Sequence, residues 1–206
     1  MRPLERIAAA VIVATLSAAT YAADPESAWA YSISLYGYDV PESQDYLNPN
    51  VTADHGHLHL EVRYQYEGLD TTSLWAGANF HTGEAWSFDA TMMLGLVMGD
   101  LDGVAPGYRL SLSHTWFTLA SEGEYFASTK SQDDNFLYSW TEASGSPTDW
   151  FRAGIAAQRT RAYQSDLSIQ RGLFVGFTYK SFDAAAYVFN LGWEDPTYVL
   201  ALRWDF

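Results

Sequence analysis

The chain has 206 residues, no cysteine and a formal net charge of −14, with 48% hydrophobic residues and an aromatic content of 16%. That length suits one domain, and so much apolar content excludes a disordered acidic tail. The acidic balance excludes nucleic acid as a partner, because phosphate binding needs a basic face that displaces counterions. Without cysteine there is neither a disulfide framework nor a thiolate metal site or nucleophile, and no cofactor is expected.

Residues 1–22 read as a secretory signal peptide. Arg2 and Arg6 supply the positive start, Ile7 to Leu16 an uninterrupted apolar run, and Thr20-Tyr21-Ala22 a small-residue cleavage site. The run falls short of the roughly 20 apolar residues that a spanning helix needs. The mature chain is expected to begin near Ala23 and to form one domain over 23–206. No later stretch has the pattern of a transmembrane helix, so any membrane insertion must use strands.

From Trp29 onward one template recurs: about ten residues with period-two alternation, then a short Gly, Pro, Asp or Ser cluster. Trp29, Tyr31, Ile33 and Leu35 oppose Ala30, Ser32, Ser34 and Tyr36. From His57 to Glu67, Leu58, Leu60, Val62, Tyr64 and Tyr66 take one face, while His57, His59, Glu61, Arg63, Gln65 and Glu67 take the other. Thr72 to His81 follows. Trp86, Phe88, Ala90, Met92, Leu94 and Leu96 then oppose Ser87, Asp89, Thr91 and Met93. Further strands are predicted within Gly107 to Phe126 and at Phe136 to Ser144, Trp150 to Arg161, Ile169 to Tyr179, Asp183 to Leu191 and Thr197 to Phe206.

Alternation alone fits a soluble sandwich or a lipocalin-like barrel equally well. Strand length and strand ends decide between them. The segments match a tilted strand crossing an apolar band of about 25 Å, whereas soluble strands are commonly five or six residues. Aromatics such as Trp29, Tyr64, Trp86, Trp150, Tyr179 and Trp204 gather where interfacial girdles lie.

The last segment is the most specific. Tyr198, Leu200, Leu202, Trp204 and Phe206 alternate up to a C-terminal phenylalanine, and this resembles the terminal strand of bacterial outer-membrane β-barrel proteins. The resemblance covers the last nine residues specifically and the remainder as a pattern. It implies an all-β, antiparallel, up-and-down transmembrane barrel of porin-like class. It also implies a Gram-negative outer-membrane address, with membrane lipid and the barrel assembly machinery as partners and the final strand as the assembly signal. No functionally defined subfamily is recognised, so no catalytic residue is carried over.

Counting runs gives an odd number, whereas barrels of this class have even ones. The phase slips between Trp116 and Phe117 with neither Gly nor Pro between them. Read as a β-bulge, the slip leaves one long strand and ten in all. The alternative is twelve, with a true turn near Thr115 and a further strand hidden in the loop from Val40 to His55. In the ten-strand reading, Ser146 to Asp149 and Lys180 to Phe182 are tight periplasmic turns.

Function in such a barrel resides in the lumen or the outer loops, since the lipid face stays apolar. Alternation points His57, His59, Glu61, Arg63, Glu67, Asp89, Arg109, Glu122, Glu124, Arg152 and Arg203 inward. Such interleaved charges either fill a closed structural or adhesion barrel with ion pairs or line a narrow channel and select its solutes or ions. The channel is the preferred reading, with Glu61, Arg63, Glu122 and Arg152 setting selectivity. The excess acid gathers in the candidate loops: Asp24, Glu26, Glu42, Asp45, Asp100, Asp102, Asp133, Asp134, Asp166, Glu194 and Asp195. Gly99 to Gly103 lacks the spacing of a calcium loop and reads as a turn closed by Pro106-Gly107. A hydrolase is the remaining reading, resting on His57 and His59 beside Ser32 and Ser34, with nothing to fix the register that would join them. Two histidines without a third ligand make no metal site.

Overall fold

A computed structural model describes residues 28–206 apart from 42–43, 163–167 and 193–194, together with no side chain of 160–162 or 168. The expected leader and the acidic residues Asp24, Glu26, Glu42, Asp166 and Glu194 lie outside the described residues.

Twelve antiparallel strands form one closed meander: β1 (Ala30–Asp39), β2 (Tyr46–His55), β3 (Leu58–Tyr64), β4 (Thr71–Thr82), β5 (Ser87–Gly99), β6 (Gly103–His114), β7 (Phe117–Ser128), β8 (Phe136–Thr148), β9 (Phe151–Ala162), β10 (Ser168–Tyr179), β11 (Phe182–Phe189) and β12 (Thr197–Asp205). Each strand pairs with its neighbours in sequence, and β1 pairs with β12 from Ser32↔Asp205 to Asp39↔Tyr198. Closure removes every sheet edge, as a barrel in lipid requires.

The count is therefore twelve, the alternative reading with its turn near Thr115 and its strand within Val40 to His55, rather than ten, and the difference has two causes. The slip at Trp116 is a hairpin turn of Thr115 and Trp116, with Thr115 at φ 43° and His114 opposite Phe117. A two-residue turn puts the residues on either side of it on the same face. In linear sequence this looks like the one-residue slip of a bulge. The second cause is β2, masked by Asn48-Pro49-Asn50. Pro49 lies opposite Leu35 while Asn48 and Asn50 turn inward and are buried. Pro106 and Gly107, expected to close a turn, instead continue β6, and the turn is confined to 100–102.

Lipid-facing positions carry the exposed apolar side chains, such as Leu60, Val62, Leu94, Leu96, Leu173 and Leu200. The two rims differ. One holds the start of β1, the end of β12 and the connections Gly56-His57, 83–86, Thr115-Trp116, Asp149-Trp150 and Lys180-Ser181; the other holds the three-residue turn 100–102 and the longer loops such as 65–70 and 129–135. In outer-membrane barrels the short turns are periplasmic and the long loops external. A dense aromatic girdle marks the periplasmic rim, where Trp150 stacks on Phe177 at 6.2 Å and Phe182 on Trp204 at 5.5 Å.

Candidate functional site in the barrel lumen

Strand parity turns His59, Glu61 and Arg63 of β3 inward, toward Arg109 of β6 and Glu122 and Glu124 of β7. The guanidinium of Arg63 donates from Nη1 to Glu124 Oε2 at 2.9 Å and from Nη2 to Glu61 Oε2 at 3.1 Å. Its carbon lies 4.1 Å from the Trp75 ring centroid and 4.3 Å from that of Tyr66, so both aromatics add cation–π attraction. Arg109 donates from Nη2 to Glu61 Oε1 at 2.6 Å and from Nε to Glu122 Oε2 at 3.3 Å. Tyr66 donates to the other oxygen of Glu122 at 2.8 Å.

His59 extends this network downward. Its Nδ1 lies 2.7 Å from Asp54 Oδ1 and its Nε2 3.4 Å from Glu61 Oε2. Asn79 donates to Asp54 at 2.6 Å and accepts from Thr91 at 2.7 Å. Burying these charges is tolerable because they are paired and hydrogen-bonded to one another. Above them, Glu67 descends from the loop after β3 and accepts from Ser73 at 2.6 Å.

The opposite wall is aromatic. Tyr38, Trp140, Phe174, Tyr187, Phe189 and Val199 form a buried cluster, with Trp140 edge-on to Tyr187 at 5.1 Å. Between the two walls runs a cavity of about 390 Å³, lined by Tyr36, Tyr38, Tyr66, Tyr138, Trp140 and Tyr187 and by the charged groups Asp89, Arg109, Glu122, Glu142, Arg152, Asp183 and Arg203. Its lining reaches the periplasmic end through Asp89, Arg152 and Arg203. There Arg152 grips Asp183 bidentately, with Nη2 to Oδ1 at 2.7 Å, and Thr178 donates to the same carboxylate at 2.7 Å. Gly176 provides the room for this, since a Cβ there would stand 2.6 Å from Arg152 Cζ.

The structure thus divides the sequence candidates. Asp89, Arg109, Glu122, Arg152 and Arg203 line the cavity, whereas His59, Glu61, Arg63 and Glu124 are buried in the wall network. His57 belongs to neither group: it is exposed in the β2–β3 turn, with Nδ1 2.7 Å from the Asn79 carbonyl. Ser32 is bonded to Thr52 at 2.7 Å and Ser34 lies opposite Asn50 and Arg203, while the His59 ring bonds the carboxylates of Asp54 and Glu61. Tyr66 was expected outward with Tyr64. It points inward because Gln65 adopts φ 56° and ends the alternation.

The aromatic wall and Glu142 escaped the sequence reading. Parity along β8 would have found them: Tyr138, Trp140 and Glu142 share a face, but inward aromatics look like girdle residues in a linear string.

This fold and apolar belt define a transmembrane β-barrel of the outer-membrane type. No protein-family model matches the chain, and no curated protein matches it in sequence. Among solved structures, the KdgM porin is similar, with a TM-score of 0.57 at 12% identity over 85% of this chain and 99% of that one. The KdgM porin in complex with disordered oligogalacturonate gives the same values. OpdK from Pseudomonas aeruginosa has a TM-score of 0.46 at 10% identity, covering 79% of this chain and 58% of its own. At such identities the likeness is one of fold.

Proposed function

We propose that the protein, exported by the leader at 1–22, is a narrow channel for small solutes across the outer membrane. One observation carries this reading: the cavity between the ion-pair wall and the aromatic wall is lined by seven charged side chains and reaches the periplasmic rim. Selectivity would follow from the cavity charges, Asp89, Arg109, Glu122, Arg152 and Arg203, acting as electrostatic barriers, with Glu61 and Arg63 holding Arg109 and Tyr66 in place. KdgM was solved with oligogalacturonate, a polyanion. Here the cavity carries four carboxylates against three guanidinium groups, which disfavours a polyanion.

A closed barrel is the second reading, favoured by a specific feature. Phe126 and Phe189, at 0% exposure, fill the half nearer the long loops, and Arg63, Glu61 and Glu124 are consumed by one another. Planar-bilayer recording of the mature protein under a salt gradient separates the two. Discrete, reproducible conductance steps are expected; silence from protein whose heat-modifiable gel mobility proves it folded would reject the channel. The assembly role of the final strand and its recognition by the barrel assembly machinery belong to the same proposal.

A further inference from the structure

The cavity acids are not equivalent. Asp89 pairs with His81 Nδ1 at 2.6 Å, Glu122 with Arg109 at 3.3 Å, and Asp183 with Arg152. The third cavity arginine, Arg203, is held by Asp205 at 2.8 Å. Glu142 has no basic partner among the described residues: its Oε1 accepts from Trp140 Nε1 at 2.7 Å and from Tyr187 OH at 2.7 Å. Both bonds fall on one oxygen.

A carboxylate among aromatic rings, with no ion-pair partner in contact among the described residues and only the more distant charge of Arg152 acting on it, is costly to keep charged. An incoming cation recovers that cost, and tyrosine and tryptophan rings attract weakly hydrated cations more than strongly hydrated ones. Tyr36 and Tyr38 line the cavity beside Trp140 and Tyr187. Tyr38 already has one face stacked on Tyr46, at 4.5 Å. A cavity of about 390 Å³ is also larger than a metal ion requires and lies in the range that small organic ligands occupy.

We infer that Glu142, with Trp140, Tyr187, Tyr36 and Tyr38, forms a binding site for the ammonium group of a small organic cation. The site rests on the channel reading for its role as a selectivity station, but binding itself does not require conduction. The amine enters with its charge toward the uncommitted side of Glu142 and its alkyl groups against the rings. No covalent step is involved.

The test uses tetramethylammonium as the probe, with glucose and acetate as neutral and anionic comparators. Tryptophan fluorescence of the folded protein in detergent and bilayer conductance are both read, for wild type, Glu142→Gln and the turn variant Glu84→Gln. Expected is a saturable response to tetramethylammonium that weakens at least tenfold in Glu142→Gln and is unchanged in Glu84→Gln. Heat-modifiable mobility verifies that each variant is folded. If Glu142→Gln does not fold, Tyr36→Leu carries the same expectation. Saturable binding without conductance would sustain the site and reject the channel. Conductance with a tetramethylammonium response equal in wild type and Glu142→Gln would reject the site and leave the channel. A change in potassium selectivity alone, or a stronger response to glucose or acetate, would also overturn the assignment.

Discussion

Trp75 and Gly95 face each other across the β4–β5 pair, and a Cβ at Gly95 would stand 2.5 Å from the Trp75 ring. The ring needs that room because its other contacts are demanding. Its Nε1 donates to Ser73 at 2.8 Å and its π face carries Arg63. Gly95→Ala therefore forces the ring off its position, at a cost of about 1–3 kcal/mol. Thermal unfolding in detergent measures it, and a variant as stable as wild type would mean that Trp75 moves freely.

Arg63 is the hub of the wall network, at 2% exposure. Arg63→Ala leaves Glu124 and half of the Glu61 contacts uncompensated, so a loss of about 3–5 kcal/mol is expected. Arg63 is buried away from the cavity lining, so ion selectivity of the remaining folded protein should change little. A selectivity change without a drop in stability would place Arg63 on the conduction path instead.

The parts that were legible in the sequence are those governed by period two. The lipid-facing sets on β1, β3 and β5, the inward set His59, Glu61, Arg63 and the aromatic ends of strands follow directly from alternation. What alternation could not settle was where a strand turns without glycine or proline, as at Thr115 and Trp116. The strand carrying Asn48-Pro49-Asn50 was legible only as the hidden strand of the twelve-strand alternative. Pairing across the lumen was hidden as well. Arg63 and Glu124 are 61 residues apart in the chain, and only barrel closure brings them together. Glu142 was overlooked because its partners, Trp140 and Tyr187, are neutral, and a charge-pairing search skips them.

Arg152 and Asp183 sit together on the cavity wall nearer the periplasmic rim. Removing the cation in Arg152→Gln leaves an extra negative charge there, so the reversal potential should shift toward cations. Asp183→Asn should shift it toward anions, and the double variant should return close to wild type. Reversal potentials that ignore all three changes would show that ions do not pass this cavity.

Outside the strands, Asp102 ties the β5–β6 turn to the β7–β8 loop. Its carboxylate binds Lys130 and accepts from the Gly99 N–H at 3.2 Å, while its carbonyl accepts from the Thr129 N–H at 2.9 Å. The lysine ammonium, and after it the Gly99 N–H, hold the carboxyl below the usual aspartate range. A depressed value means that the stabilisation is complete above the ordinary aspartate pKa of about 4 and is lost as pH falls through the lower folded value. Hydrogen-exchange protection of Gly99 and Thr129 should therefore hold at neutral pH and decline only in strong acid. Added salt should weaken it. In Asp102→Asn the pH dependence should vanish, and a persisting dependence would locate the titrating group elsewhere.

Phe206 closes the barrel seam. Its N–H donates to the Tyr31 carbonyl at 3.0 Å and its carbonyl accepts from the Tyr31 N–H at 3.0 Å. Its ring lies 5.8 Å from Tyr31 and 5.0 Å from Trp204. Two roles are thus superimposed on one residue: seam closure, which depends on the backbone, and the proposed assembly signal, which depends on the ring. Phe206→Ala keeps both backbone bonds and removes the ring from an exposed site, so refolded protein should keep nearly all of its thermal stability. The amount assembled in the outer membrane of cells should nevertheless fall several-fold. Deleting Phe206 should lower both quantities, because the seam bonds go too. Equal loss of stability and of assembly in Phe206→Ala would reduce the residue to a packing contact, and unchanged assembly would remove the signal from this strand.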